Sequence, residues 1–222
     1  HLDSIRGFYH YLIEEEQVAM VNPVKRGYAL RLSRPLPRHL RDEEVARLLQ
    51  VIHHQRDRAM VMLMLRYGLR VEEVSRLKQA ALDLRRSQVF IHQGKGAKDR
   101  VVYLSDDAYE ALVEYLRVRP AIRVKEVFLV GKGRCRGKAI SVRGIQKRLE
   151  YYARQARLKV SCHQLRHTMA TQLLNADAAL VTIQDLLGHT RIKTTQRYCR
   201  VSNLKVQRDY HRAMAAILQI TG

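Results

Sequence analysis

The segment Cys162-His163-Gln164-Leu165-Arg166-His167-Thr168 concentrates side chains that can do chemistry. It stands at the start of a predicted helix, where His163 and Arg166, three apart, share one face. A helix N-terminus offers unpaired N–H donors and a partial positive charge, a setting suited to a phosphate. Arg70 in Gly68-Leu69-Arg70 stands at another predicted helix start, with Glu73 one turn later. Lys95 lies in a Gly-Lys-Gly turn, His189 follows Leu187-Gly188, and Tyr198 comes nine residues further on. Taken singly, each has an ordinary reading. Arg70 and Arg166 are two of many arginines, Tyr198 is one of 11 tyrosines, Lys95 can be a solvated turn and His189 a helix cap. His163 and His167 at i, i+4 imitate a zinc-binding helix. Gln164, however, occupies the place where such enzymes need a glutamate base, and no third ligand is evident.

Order and spacing change that reading. Gly68-Leu69-Arg70-Val71-Glu72-Glu73, Gly94-Lys95-Gly96-Ala97-Lys98-Asp99-Arg100, the 162–168 segment and Leu187-Gly188-His189, followed by Tyr198, resemble the active-site signature of the tyrosine recombinase (phage integrase) family. The resemblance runs over about residues 40–205. It implies that Tyr198 attacks a DNA phosphodiester to give a 3′-phosphotyrosyl link and a free 5′-hydroxyl. A 5′-hydroxyl of another strand then reverses the link, so bond energy is conserved and neither metal nor cofactor is required. The resemblance gives Arg70 and Arg166 the scissile phosphate, and makes His163 the candidate acceptor of the phenolic proton. It gives His189 a hydrogen bond to a non-bridging oxygen and makes Lys95 the general acid at the departing 5′-oxygen. Glu73 is expected to orient the site, through Arg70 or His163, rather than to move a proton.

The elements that must position these groups follow from periodicity. A helix is predicted over 3–20, from Ile5, Phe8, Tyr9, Leu12 and Ile13, with Asn22-Pro23 ending it. Further helices are expected at 41–52, 56–67 (ending at Gly68), 71–78, 106–118, 141–156, 163–175, 180–187, 191–198 and 203–219. The stretches 88–92 and 100–104, separated by a turn-forming loop, read as a β-hairpin, and 127–130 as a short strand. The fold class is mainly α with a small antiparallel β-sheet (α+β). Residues 1–22 read as the end of a truncated upstream domain and 23–38 as a basic interdomain linker with Pro23, Pro35 and Pro37; the resemblance implies that 1–22 are the last helix of an N-terminal core-binding domain and 39–222 the catalytic domain. Within it, the family resemblance implies that the helix in 203–222 is exchanged between protomers of a tetrameric synapse.

Lys and Arg total 41 against 21 Asp and Glu in 222 residues, a formal net charge of +20. Such a charge on a chain that is 46% hydrophobic points to a folded domain with a polyanionic partner, nucleic acid ahead of an anionic membrane surface or a ribosome; the family resemblance implies a double-stranded DNA recombination site. Lys25, Arg26, Arg31, Arg34, Arg38, Lys98, Arg100, Arg143 and Lys147 are candidate phosphate contacts. Cys135, Cys162 and Cys199, odd in number and widely spaced, argue against a disulfide framework. No apolar run approaches the roughly 20 residues of a membrane span, and no charged-then-apolar leader follows His1. A fragment of a longer protein from a reducing compartment is expected, and the family resemblance implies a prokaryotic cytoplasm with association to the nucleoid. Accessory DNA-bending or directionality factors are possible further partners. The leading functional expectation is a recombinase that integrates, excises or transposes a mobile element. Alternatives are a Xer-type dimer resolvase, a type IB topoisomerase and a catalytically inactive DNA-binding protein.

Overall fold

The computed structural model describes residues 2–25, 38–92, 99–188 and 214. The chain divides into two compact units, His1–Pro35 and Leu36–Gly222. In the first, helix α1 spans Leu2–Glu14 and stops earlier than its apolar periodicity predicts. Glu14, Glu15 and Glu16 put three negative charges at its C-terminal end, where the helix dipole is already negative, and Gln17 turns the chain with φ of 50°. Asn22 folds the chain back. Its side-chain amide donates to the Arg6 carbonyl (3.1 Å) and its Oδ1 accepts from the Val24 amide (3.0 Å).

The second unit is built around α3, Gln55–Tyr67. Seven consecutive residues, Ala59, Met60, Val61, Met62, Leu63, Met64 and Leu65, are at most 3% exposed, so this helix is apolar on every side and must be enclosed. α2 (Asp42–Gln50), α5 (Asp106–Val118), α6 (Val142–Gln155) and α7 (Cys162–Asn175) contribute to the surrounding core. At the start of α3, Asp57 is 1% exposed and accepts from Arg56, Arg148 (2.6 Å) and the Tyr152 hydroxyl (3.0 Å). This ties α3 to α6. α8 (Leu180–Leu187) lies on α7 through Ile183 and Leu187 against Met169, Ala170 and Leu174.

Three antiparallel strands, β1 (Leu82–Asp83), β2 (Gln88–Ile91) and β3 (Arg100–Tyr103), form one sheet in that order. The expected hairpin is β2–β3, in register Val89↔Val102 and Ile91↔Arg100; β1 is an addition. Residues 127–130 do not join the sheet. Their polar groups go to different partners, the Val127 amide to Leu77 and the Phe128 carbonyl to Ile140, so only isolated bridges form. That same pairing ends α4 at Ser75 (Val71–Ser75) rather than at 78, because Leu77 and Lys78 are drawn into extended contacts with 126–127. The expected helices at 191–198 and 203–219 lie outside the described residues, apart from Met214. Among the described residues no helix is long and apolar enough to cross a membrane.

Candidate active site

α3 ends at Gly68, whose φ of 62° is left-handed. A Cβ there would stand 2.8 Å from Leu187 Cδ2 and 3.3 Å from Arg166 Cγ, so only glycine lets α7 and α8 close on this turn. Leu69 is fully buried, and Arg70 then opens α4. The Glu73 carboxylate accepts from the Arg70 backbone amide (2.8 Å), which caps α4. It also accepts from Arg70 Nη1 (2.9 Å).

α7 begins with a reciprocal cap. Ser161 Oγ accepts from the Gln164 amide (3.3 Å) and Gln164 Oε1 from the Ser161 amide (2.9 Å). Gln164, which spoils the metal-protease pattern, thus serves the helix start. His163 is exposed on the first turn, with its ring 4.3 Å from that of His167 at 75°. Arg166, one turn on, is 2% exposed. Its guanidinium donates to the carbonyls of Gly68 and Leu187, the C-terminal ends of α3 and α8, where a cation is favoured by both dipoles.

Arg70, His163 and Arg166 line one cavity of about 530 Å³, together with Glu72, Gln146, Leu149, Glu150 and Cys162. Burial pushes the Cys162 thiol up to about 11. Glu73 sits beside this group with its four acceptor positions occupied. Arg100 Nη1 and Nη2 add bonds of 3.0 and 2.8 Å to those from Arg70. Burial pulls the Glu73 carboxyl upward, but the hydrogen bonds and charge of Arg100, with the amide and charge of Arg70, outweigh it and hold the group below its ordinary value. A saturated, stabilised carboxylate is a poor base, so this geometry suits orientation of Arg70.

Arg100 requires a correction. Read from the sequence as a phosphate contact, its side chain is 6% exposed, bidentate on Glu73, and donates from Nε to the Leu186 carbonyl (2.8 Å). Arg100 shares one face of β3 with Val102, which is fully buried. Lys25, Arg38, Arg143 and Lys147 are exposed. Arg143 and Lys147 stand one turn apart on α6, whose Gln146 and Glu150 line the cavity. Those two lining residues were not anticipated, although their i, i+4 spacing beside Arg143 and Lys147 marks a single polar face. Lys95, His189, Tyr198, Arg26, Arg31, Arg34 and Lys98 lie outside the described residues.

Comparison with known proteins bears on this arrangement. A family described as the phage integrase family matches residues 38–205. A tyrosine recombinase XerC from Pelotomaculum thermopropionicum is 35% identical over 96% of this chain and 72% of its own. The crystal structure of a XerA recombinase superposes with a TM-score of 0.71 at 25% identity, covering 96% of this chain and 83% of that one. A Tn1549 transposon integrase in complex with transposon right end DNA shares the fold, with a TM-score of 0.77 at 16% identity over 96% of this chain and 78% of that one.

Proposed function

The chain belongs to the phage integrase family, and from that premise we propose how its residues break and rejoin DNA. It is a site-specific recombinase of the tyrosine type. The observation that carries the residue-level reading is the convergence of Arg70, His163 and Arg166 on one cavity at the N-terminus of α7.

Phosphodiester transfer needs an in-line nucleophile and compensation of charge on the non-bridging oxygens. Tyr198 is the nucleophile. A phenol with a reference pKa near 10 is protonated at neutral pH, so His163 takes its proton as the phenolic oxygen attacks phosphorus. The P–O5′ bond breaks and Lys95 protonates the departing 5′-oxygen. Arg70 and Arg166 bind the scissile phosphate and His189 donates to a non-bridging oxygen. In the second half-reaction a 5′-hydroxyl of another strand gives its proton to Lys95 and attacks phosphorus, the P–O bond to Tyr198 breaks and the phenol regains its proton from His163. The chemistry is closed without an external energy source.

The substrate is a double-stranded DNA recombination site, held by four protomers. Residues 1–22 serve as the end of an upstream DNA-clasping domain, 23–38 as its basic linker, and 203–222 as the segment passed between neighbours. Lys25, Arg26, Arg31, Arg34, Arg38, Lys98, Arg143 and Lys147 contact phosphates, and accessory DNA-bending proteins set direction. The biological role is movement of a mobile element, a reading supported by the fold shared with a transposon integrase. A Xer-type dimer resolvase is the second reading, favoured by the 35% identity to a XerC recombinase.

A supercoiled plasmid carrying two copies of the flanking site, incubated with protein in EDTA, tests the function. Deletion or inversion products are expected. Relaxation without exchange would mean a topoisomerase instead. Efficient resolution of plasmid dimers without intermolecular integration would select the resolvase reading.

A further inference from the structure

Two arginines share Glu73, and they differ in exposure. The Arg70 side chain is 38% exposed and that of Arg100 is 6% exposed. The outer arginine faces the cavity, whereas the inner one donates to Glu73 and to the Leu186 carbonyl inside the protein. From β3, Arg100 reaches α4 through both Glu73 oxygens and the end of α8 through the Leu186 carbonyl. One guanidinium therefore joins three elements, and each is close along the chain to a group used above. Arg100 comes five residues after Lys95, Glu73 holds Arg70, and Leu186 lies three residues before His189.

Charge gives the arrangement its consequence. With Arg100 present the cluster Arg70–Glu73–Arg100 carries two positive charges and one negative. Without it, Glu73 neutralises Arg70 and its vacated acceptor positions compete with a phosphate for the same donors. A side chain so deeply enclosed also keeps its Coulomb effect poorly screened.

We propose that Arg100 is a positioning residue for strand cleavage, occupying Glu73 so that Arg70 presents its charge to the scissile phosphate, and fixing the end of α8 against β3. The inference rests on the reading of Arg70 as a phosphate ligand.

The test is single-turnover formation of the covalent adduct by the full chain on a nicked substrate, with DNA affinity and thermal midpoint measured alongside. Arg100→Gln is expected to slow cleavage by about 10²-fold, on the scale of losing one preorganised donor. Its DNA affinity should stay within about 3-fold, since exposed phosphate contacts set affinity. Arg100→Lys keeps the charge but loses the fork, and should recover roughly 10-fold of the deficit. A methylphosphonate at the scissile position removes the charge that Arg70 offsets. On that substrate the gap between wild type and Arg100→Gln should close to within about 3-fold.

Cleavage by Arg100→Gln at the wild-type rate would overturn the proposal, as would a gap undiminished on methylphosphonate. Parallel loss of folding, binding and cleavage, with no rescue by Arg100→Lys, would also overturn it by making the role purely structural. Arg70→Gln separates the two levels. If it cleaves like wild type, the phosphate-ligand reading fails and this inference with it; if it is inactive while Arg100→Gln is not, only this inference fails.

Discussion

The Arg166 guanidinium donates to the carbonyl of Gly68, 98 positions earlier in the chain. The same guanidinium binds the Leu187 carbonyl, so the ends of α3 and α8 are held by a side chain that also lines the cavity. Helix packing and the lining of the cavity are thereby joined at one group. A lysine, a point charge on a flexible stem, cannot make both contacts with the same planar geometry.

Gly68→Ala should be costly out of proportion to its size. The left-handed backbone alone disfavours an L side chain by about 1–2 kcal/mol, and the added methyl would meet Leu187 Cδ2 at 2.8 Å. A lowered urea midpoint together with slower adduct formation is expected. An unchanged midpoint would contradict the packing described here.

Glu73 makes an acid-side contribution to stability. Its carboxyl is held below the ordinary 4.5, burial opposing and the two arginines prevailing. A group with a lowered folded-state pKa stabilises the fold above its unfolded value and loses that contribution as pH falls through the folded one. Thermal midpoints followed from neutral pH down through 4.5 should therefore fall more steeply for wild type than for Glu73→Gln. Parallel curves would show that the carboxylate is not paired as described.

Asp57 anchors the opposite end of α3. Removing its carboxylate leaves Arg56, whose side chain is 10% exposed, without its counter-charge, whereas Arg148 at 36% can turn to solvent. Asp57→Ala should cost about 3–5 kcal/mol, the range for breaking a buried pair, and Arg148→Met much less. Chemical denaturation of the two variants checks the order.

The cysteines should react unequally. Burial pushes the Cys162 thiol up to about 11, so little thiolate exists near neutrality, and Cys135 is exposed. Iodoacetamide at mildly alkaline pH should label Cys135 well before Cys162, as read by peptide mass spectrometry. Equal labelling would mean that the start of α7 opens readily.

The helix starts that carry Arg70 and His163 were legible because such starts leave local marks, Gly68 before Arg70 among them. The hairpin was legible from two β-rich stretches flanking a loop. What was not legible depends on contacts between distant segments. Helix α4 is shorter than its pattern because Leu77 pairs with Val127, and α1 is shorter because local charge overrides apolar spacing. Arg100 looked like a surface cation because composition cannot tell a paired arginine from a solvated one. Its burial follows only once β3 is placed against α4 and α8.

The central claim is that Tyr198 forms a covalent link to DNA in a site organised by Arg70 and Arg166. Its most direct test is a nicked suicide substrate built from the DNA flanking the gene's own site, incubated with protein in EDTA and analysed after SDS. The account predicts a protease-sensitive adduct at a 3′-phosphate for wild type, and none for Tyr198→Phe. Cutting that requires a divalent metal and survives Tyr198→Phe would contradict it.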